Sequence, residues 1–102
     1  MTTATTDIVE PFENKEFDEA RHEEFSGRVM GMLNEAALTF MLSLGHRCGL
    51  LDTMQRLDRI ATSQGIADEA GLDERYVREW LGAMATGRVV DYDPITRGYR
   101  LP

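Results

Sequence analysis

The most sustained apolar rhythm in the chain runs from Ser26 to about Arg47, and its period is that of a helix. No proline and few β-branched residues interrupt it. On a helical wheel, Val29, Met30, Met32, Leu33, Ala36, Ala37, Phe40, Met41 and Leu44 cover about half the circumference. The opposite side carries Arg28, Asn34, Glu35, Thr39 and His46, but also Gly31, Leu38 and Leu42. Leu38 and Leu42 lie one turn apart and form a second apolar stripe. A surface helix of a monomer needs one apolar face. Two faces predict a helix held between its own domain and another polypeptide, with Leu38 and Leu42 as the stripe that meets the partner.

Ahead of this helix, residues 1–11 are Thr-rich and aperiodic, and Pro11 closes them, which predicts a disordered arm. A short helix is expected from Asn14 to Phe25, with a thin apolar side. Residues 1–25 are thus read as an acidic N-terminal arm, and 26–102 as the long helix plus a small domain. Gly45 and Gly49 bracket the end of the long helix. Asp52, with Gln55 three residues on, predicts a capped short helix that buries Met54 and Leu57. From Thr62 to Leu101 the pattern is that of a helix-turn-helix followed by a hairpin. Thr62-Ser63 opens the first helix, whose inward positions are Ile66, Ala67 and Ala70. Gly71 turns the chain, Leu72 plugs the corner, and Asp73 caps a helix running from Glu74 to about Thr86. Tyr76, Val77, Trp80, Leu81, Met84 and Ala85 form its core stripe, and Gly87 ends it. Arg88–Tyr92 and Tyr99–Leu101 read as two strands joined by a Pro/Gly-containing turn. The predicted fold is mainly α: a winged helix-turn-helix with a small β-hairpin wing, preceded by a long N-terminal helix.

Length and composition narrow the picture. The 102 residues, 42% of them apolar, suffice for one small core. No apolar run reaches the 18 or so residues of a membrane span, and the acidic N-terminus lacks the apolar segment of a signal peptide. A single cysteine, Cys48, cannot form an internal disulfide, which points to a reducing cytoplasm and a buried hydrophobic role for the thiol. The net charge of −7 is uneven. Residues 1–25 hold eight acids against Lys15 and Arg21, whereas the remainder is near neutral. A dedicated DNA-binding domain normally presents a basic face, and none is visible.

The candidate chemistry is correspondingly thin. The chain has no Gly-rich phosphate loop, no metal-ligand spacing and no catalytic triad, so no catalytic, cofactor-binding or metal-binding residue is assigned. His22 and His46 are far apart, and Glu23-Glu24 and Asp68-Glu69 read as solvated surface. If the second helix of the helix-turn-helix read DNA, its contacts would be Arg75 and Arg78, with Arg97 from the wing. Both helix arginines have an acid four residues away, Arg78 with Glu74 and Arg75 with Glu79, which neutralises the face.

The runs LGHRCGLLDTM (44–54), TSQGIADEAGLDERYVREWLGAM (62–84) and GYRLP (98–102) resemble the N-terminal winged-helix region of bacterial class I S-adenosylmethionine-dependent methyltransferases, proteins often labelled transcriptional regulators. The resemblance covers about residues 26–102, and Gly71-Leu72-Asp73-Glu74-Arg75-Tyr76 with Glu79-Trp80-Leu81 is its most specific part. One departure is Gly65, where the family has a Glu three residues after the opening Thr; the reciprocal cap is lost and a looser helix start is expected. The resemblance implies a domain that dimerises and walls one side of a substrate pocket. The cofactor, S-adenosylmethionine, would be bound by a Rossmann-like domain that these residues do not contain. The expected partner is a second copy, contacted through Leu38 and Leu42 with Met30, Phe40 and Met41. The alternative is a winged-helix transcriptional regulator that binds DNA, and a third reading is a free-standing protein-interaction module.

Overall fold

Between Pro11 and Pro94 the chain contains no proline, so nothing in its covalent structure forces a helix to stop early. A computed structural model describes residues 16–102. The first element, α1 (Glu19–Arg47), is a single helix of 29 residues. The carboxylate of Asp18 accepts the Arg21 N–H at 3.1 Å and caps its start, and Glu19 adds an acid to the first turn. The two helices expected on either side of Phe25 are therefore one: Asp18 supplies the cap, and Ser26-Gly27 continues the helix rather than opening a new one. The disordered arm expected at residues 1–11, and the first residues of the helix expected from Asn14, lie outside the described residues.

The chain divides into two compact units between Met30 and Gly31, with the division falling within α1. In the first unit, Phe17 lies beside His22 with ring centroids 5.2 Å apart, and the Arg28 guanidinium lies over Phe25.

The second unit holds the remaining elements: α2 (Leu50–Leu57), β1 (Ala61–Thr62), α3 (Ser63–Ala70), α4 (Glu74–Thr86), β2 (Asp91–Asp93) and β3 (Gly98–Arg100). α2 starts two residues before the predicted cap. Gly49, left-handed at φ 84°, precedes it with no side-chain cap, and Asp52 lies within the first turn. The reason is burial: Leu50 and Thr53 join Met54 on the inner side, so the helix must already be formed at Leu50. At α3 the Thr62 hydroxyl accepts the Gly65 N–H at 3.1 Å. Losing the acid at position 65 removes the return half of the cap but leaves this half standing. Gly71 then turns the chain at φ 70°, and Asp73 caps α4 by accepting the Arg75 N–H at 2.9 Å.

The core consists of Leu50, Met54, Ile66, Ala67, Val77, Trp80, Leu81, Met84 and Val90. Tyr76, expected in the stripe with Trp80, is 68% exposed. It sits at the edge of the arc centred on Val77, Trp80 and Met84, so the helix turns it away. Leu72 is likewise half-open rather than a closed plug. The wing gains a strand that the sequence pattern does not reveal: β1 pairs antiparallel with β3 (Ala61↔Tyr99), giving the order β1-β3-β2. Two residues, the second of which is itself the α3 cap, carry no visible alternation. On the other side of β3, Tyr92 faces Tyr99. The chain is a winged helix-turn-helix: mainly helical, with a small antiparallel wing.

The contact that sets α1 on this core is tight. The Trp80 indole N–H donates to the Met41 carbonyl at 2.8 Å. A Cβ added to Gly45 would meet the Trp80 ring, 2.7 Å from Cε2. Gly45→Ala is therefore expected to cost about 1–3 kcal/mol as overpacking. Gly82 is mid-helix with open space around its Cα, so Gly82→Ala should add about 0.5–1 kcal/mol. Urea unfolding of both variants should give these opposite signs.

Candidate interaction site

The inward side of α1 carries Leu38, Met41, Leu42 and Gly45. Leu38, Met41 and Leu42 are partly buried against the core, and Gly45 is buried. Leu38 packs where Gly87 has no side chain; a Cβ there would lie 2.9 Å from Leu38 Cδ1. This corrects the interface read from the sequence. Leu38 and Leu42 are not the stripe left for a partner, and Met41 is not free, because these three make the domain's own contact with α1. A helical wheel assigns the wider apolar arc to the core. The close approach of Trp80 and Gly87 selects the narrower side instead, since only there does the helix offer Gly45. The two glycines are the signal the sequence holds for this, and hydrophobicity alone does not carry it.

Beyond Met30 the wider arc, Met41 apart, faces outward. Leu33 and Phe40 are 58% and 70% exposed, Leu44 is nearly half exposed, and Ala36 and Ala37 are open. Leu33, Ala37, Phe40 and Leu44 are spaced four, three and four apart, the spacing of a seam between packed helices. Phe40, named in the predicted interface, lies on this seam. Met30, also named, is 56% exposed and belongs to the first unit.

The outer side of α4 is electrostatically muted. Arg75 lies 3.8 Å from Glu79, and Arg78 lies 3.6 Å from Glu74. Exposed helix pairs of this kind contribute only about 0.2–0.5 kcal/mol each. Glu74 is further engaged by the Ser63 hydroxyl at 2.6 Å. A polar hollow of about 410 Å³ between α3, α4 and the wing brings Arg78 and Arg97 together, with Glu74, Gln64, Tyr92 and Tyr99 in its lining. Arg75 is not part of it. The Tyr92 and Tyr99 rings sit 4.9 Å apart, and burial, followed by the neighbouring Tyr92, pushes the Tyr99 phenol above its ordinary value. Among the described residues, no three His, Cys, Asp or Glu side chains are grouped to hold a metal ion. No helix there is long and apolar enough to cross a membrane. Cys48, expected to be buried, is exposed just past the end of α1, because the helix terminus turns its side chain off the core.

At the wing tip, Asp93 accepts hydrogen bonds from the Thr96 hydroxyl at 2.6 Å and from the Ile95 and Thr96 N–H groups.

A helix-turn-helix followed by an antiparallel wing places the chain in the winged-helix class. The family model described as Rv2258c-like winged HTH domain matches residues 36–102, and the chain belongs to that family. No curated protein matches it.

The bonds from Thr96 and Ile95 hold the Asp93 carboxyl below its ordinary value of 3.8. A depressed carboxyl stabilises the wing turn above that value, and the contribution is lost as pH falls through the folded one. A carboxyl-detected NMR titration should place Asp93 below 3.8. Thr96→Ala should move it upward.

Proposed function

We propose that this winged helix is a docking domain, pairing with a second copy through the outward seam of α1 and serving as the dimerisation and substrate-capping part of an S-adenosylmethionine-dependent methyltransferase. The observation that carries the first half is the run Leu33, Ala37, Phe40 and Leu44, with Leu33 and Phe40 largely bare of contacts from their own domain. A contiguous apolar patch rimmed by polar residues marks an interaction site more often than a free surface. The muted face of α4 supports the same reading, since a carboxylate beside each arginine opposes phosphate binding. The methyltransferase half rests on the resemblance of residues 44–54, 62–84 and 98–102. The strands among the described residues are antiparallel and no longer than three residues. No Gly-rich loop joins a strand to a helix among them, so they do not fit the cofactor, and no catalytic step is assigned to them.

Sedimentation at micromolar concentration should show a dimer, and Leu33→Glu with Phe40→Glu should give a soluble monomer that still unfolds cooperatively, at a melting temperature independent of concentration. A wild-type monomer over that range would sink the pairing. Leu38→Glu with Leu42→Glu should instead unfold the domain, because it forces charge into the contact with Gly87. Sequencing the gene beyond the Pro102 codon tests the methyltransferase half. A continuing frame with a Gly-rich strand–helix turn is expected, and an immediate stop would remove that reading.

One observation favours DNA binding: Arg78 and Arg97 share one hollow. If both met phosphate, log affinity would fall with log salt with a slope of about −2. A salt series on mixed genomic fragments checks this, and we expect no retardation at low salt.

A further inference from the structure

The polar hollow between α3, α4 and the wing, of about 410 Å³, has the size of a small-molecule site. Arg78, Arg97 and Glu74 are the charged residues that line it, so it holds one positive charge in excess. The compensated arginine is Arg78. Its Nε lies 3.6 Å from Glu74 Oε2, and the Ser63 hydroxyl donates to the same oxygen at 2.6 Å, which ties α3 to α4. Arg97 makes no ion pair among the described residues. Its backbone is left-handed at φ 58°, a conformation that costs any residue with a Cβ and that glycine adopts freely. Strain of this kind gathers where a side chain is needed for something besides the fold. The wing supplies the aromatic wall. Tyr92 and Tyr99 are cross-strand partners, so their side chains share one face, with the rings 4.9 Å apart, and both line the hollow. Burial, followed by Tyr92, raises the Tyr99 phenol, and the ionised groups that reach it are Arg78 and Glu74. It therefore stands beside the ion pair as a neutral hydrogen-bond donor. Tyr92 is 45% exposed and leaves part of its ring open.

We propose that this hollow binds a small aromatic carboxylate, its anion held by Arg97 and its ring against Tyr92. The planar fork of a guanidinium meets a carboxylate through two parallel hydrogen bonds. An aromatic ring packs on Tyr92 in an offset or edge-on arrangement that an aliphatic ring does not reproduce. The charge balance selects a monoanion, because a second negative charge would face the Glu74 carboxylate with nothing to offset it. The same balance disfavours a nucleic-acid strand, which brings further phosphates past Glu74 and Glu79. The site shares no residue with the seam on α1, so it stands whether or not the chain pairs.

The test is an NMR titration of the full chain that follows the Tyr92 and Tyr99 ring protons and the Arg97 Nε–H. The probes are benzoate, neutral benzamide, cyclohexanecarboxylate, dimethyl phosphate, and phenyl phosphate, which is dianionic at about pH 8. Benzoate should shift both tyrosine rings and the Arg97 signal saturably. It should bind about tenfold tighter than benzamide and severalfold tighter than the other three. Arg97→Gly should erase the preference for benzoate over benzamide without lowering the melting temperature, since glycine accepts this backbone conformation. No saturable shift, equal binding of benzoate and benzamide, or equal binding of benzoate and cyclohexanecarboxylate would overturn the proposal. So would a preference that survives Arg97→Gly, or a melting temperature that falls in that variant, because the arginine would then serve the fold. Tighter binding of phenyl phosphate or dimethyl phosphate than of benzoate would also overturn it, and the latter would assign the hollow to a nucleic-acid backbone.

Discussion

The indole of Trp80 must bury its ring and still satisfy its N–H, and most of this domain's arrangement follows from how it does both. The acceptor is a main-chain oxygen, that of Met41 in the second half of a helix. A carbonyl has two lone pairs, so it can serve its own helix and the indole together. To reach it, the ring has to lie close against the helix backbone, and only a residue without a side chain can sit beneath it. Gly45 is that residue. Once the indole is docked there, the rotation of this part of α1 about its axis is fixed: Leu38, Met41 and Leu42 go inward. Leu33, Phe40 and Leu44 are then left outside, whatever their hydrophobicity.

The same constraint explains which parts of the structure are legible in the sequence. The helix-turn-helix is readable almost to the residue, because its signals are local. Asp73 and Thr62 are capping side chains, Gly71 adopts a left-handed turn, and Val77, Trp80, Leu81 and Met84 repeat at helical spacing. The orientation of α1 is not readable in this way, since it is set by residues far away in sequence, Trp80 and Gly87, acting on two glycine-dependent contacts. A wheel ranks faces by apolar content, and here the narrower face wins because a close approach outweighs area. Tyr76 and Cys48 escape the pattern for a related reason. Both stand at helix ends, where a shift of a fraction of a turn moves a side chain from core to rim. Strand β1 is hidden because two residues show no period at all.

The electrostatics separate fold from use. A helix-turn-helix with a wing is a scaffold, and its function has to be argued from the side chains it presents. Here each arginine on the outer side of α4 has a glutamate one turn away. The chain's excess negative charge does not spare that surface, since residues 58–102 carry more acids than bases. DNA association draws most of its free energy from displaced counterions, and paired arginines displace few. On the outer side of α4 the two ion pairs weaken that driving force.

α1 offers apolar surface, and under the pairing we propose its arrangement suits a defined neighbour over general stickiness. Random exposed hydrophobes scatter, and singly they require no explanation. Those on α1 recur at four-three-four spacing beside the face that meets Trp80, and Ala37 between Leu33 and Phe40 lets another backbone come near. Small and large residues alternating along one stripe suit interdigitation with a second helix. The inward face is committed to one tryptophan and two glycines, so a partner cannot compete for it without unfolding the domain. The two faces of α1 can thus act at the same time, one holding the helix to its own core and the other presenting it.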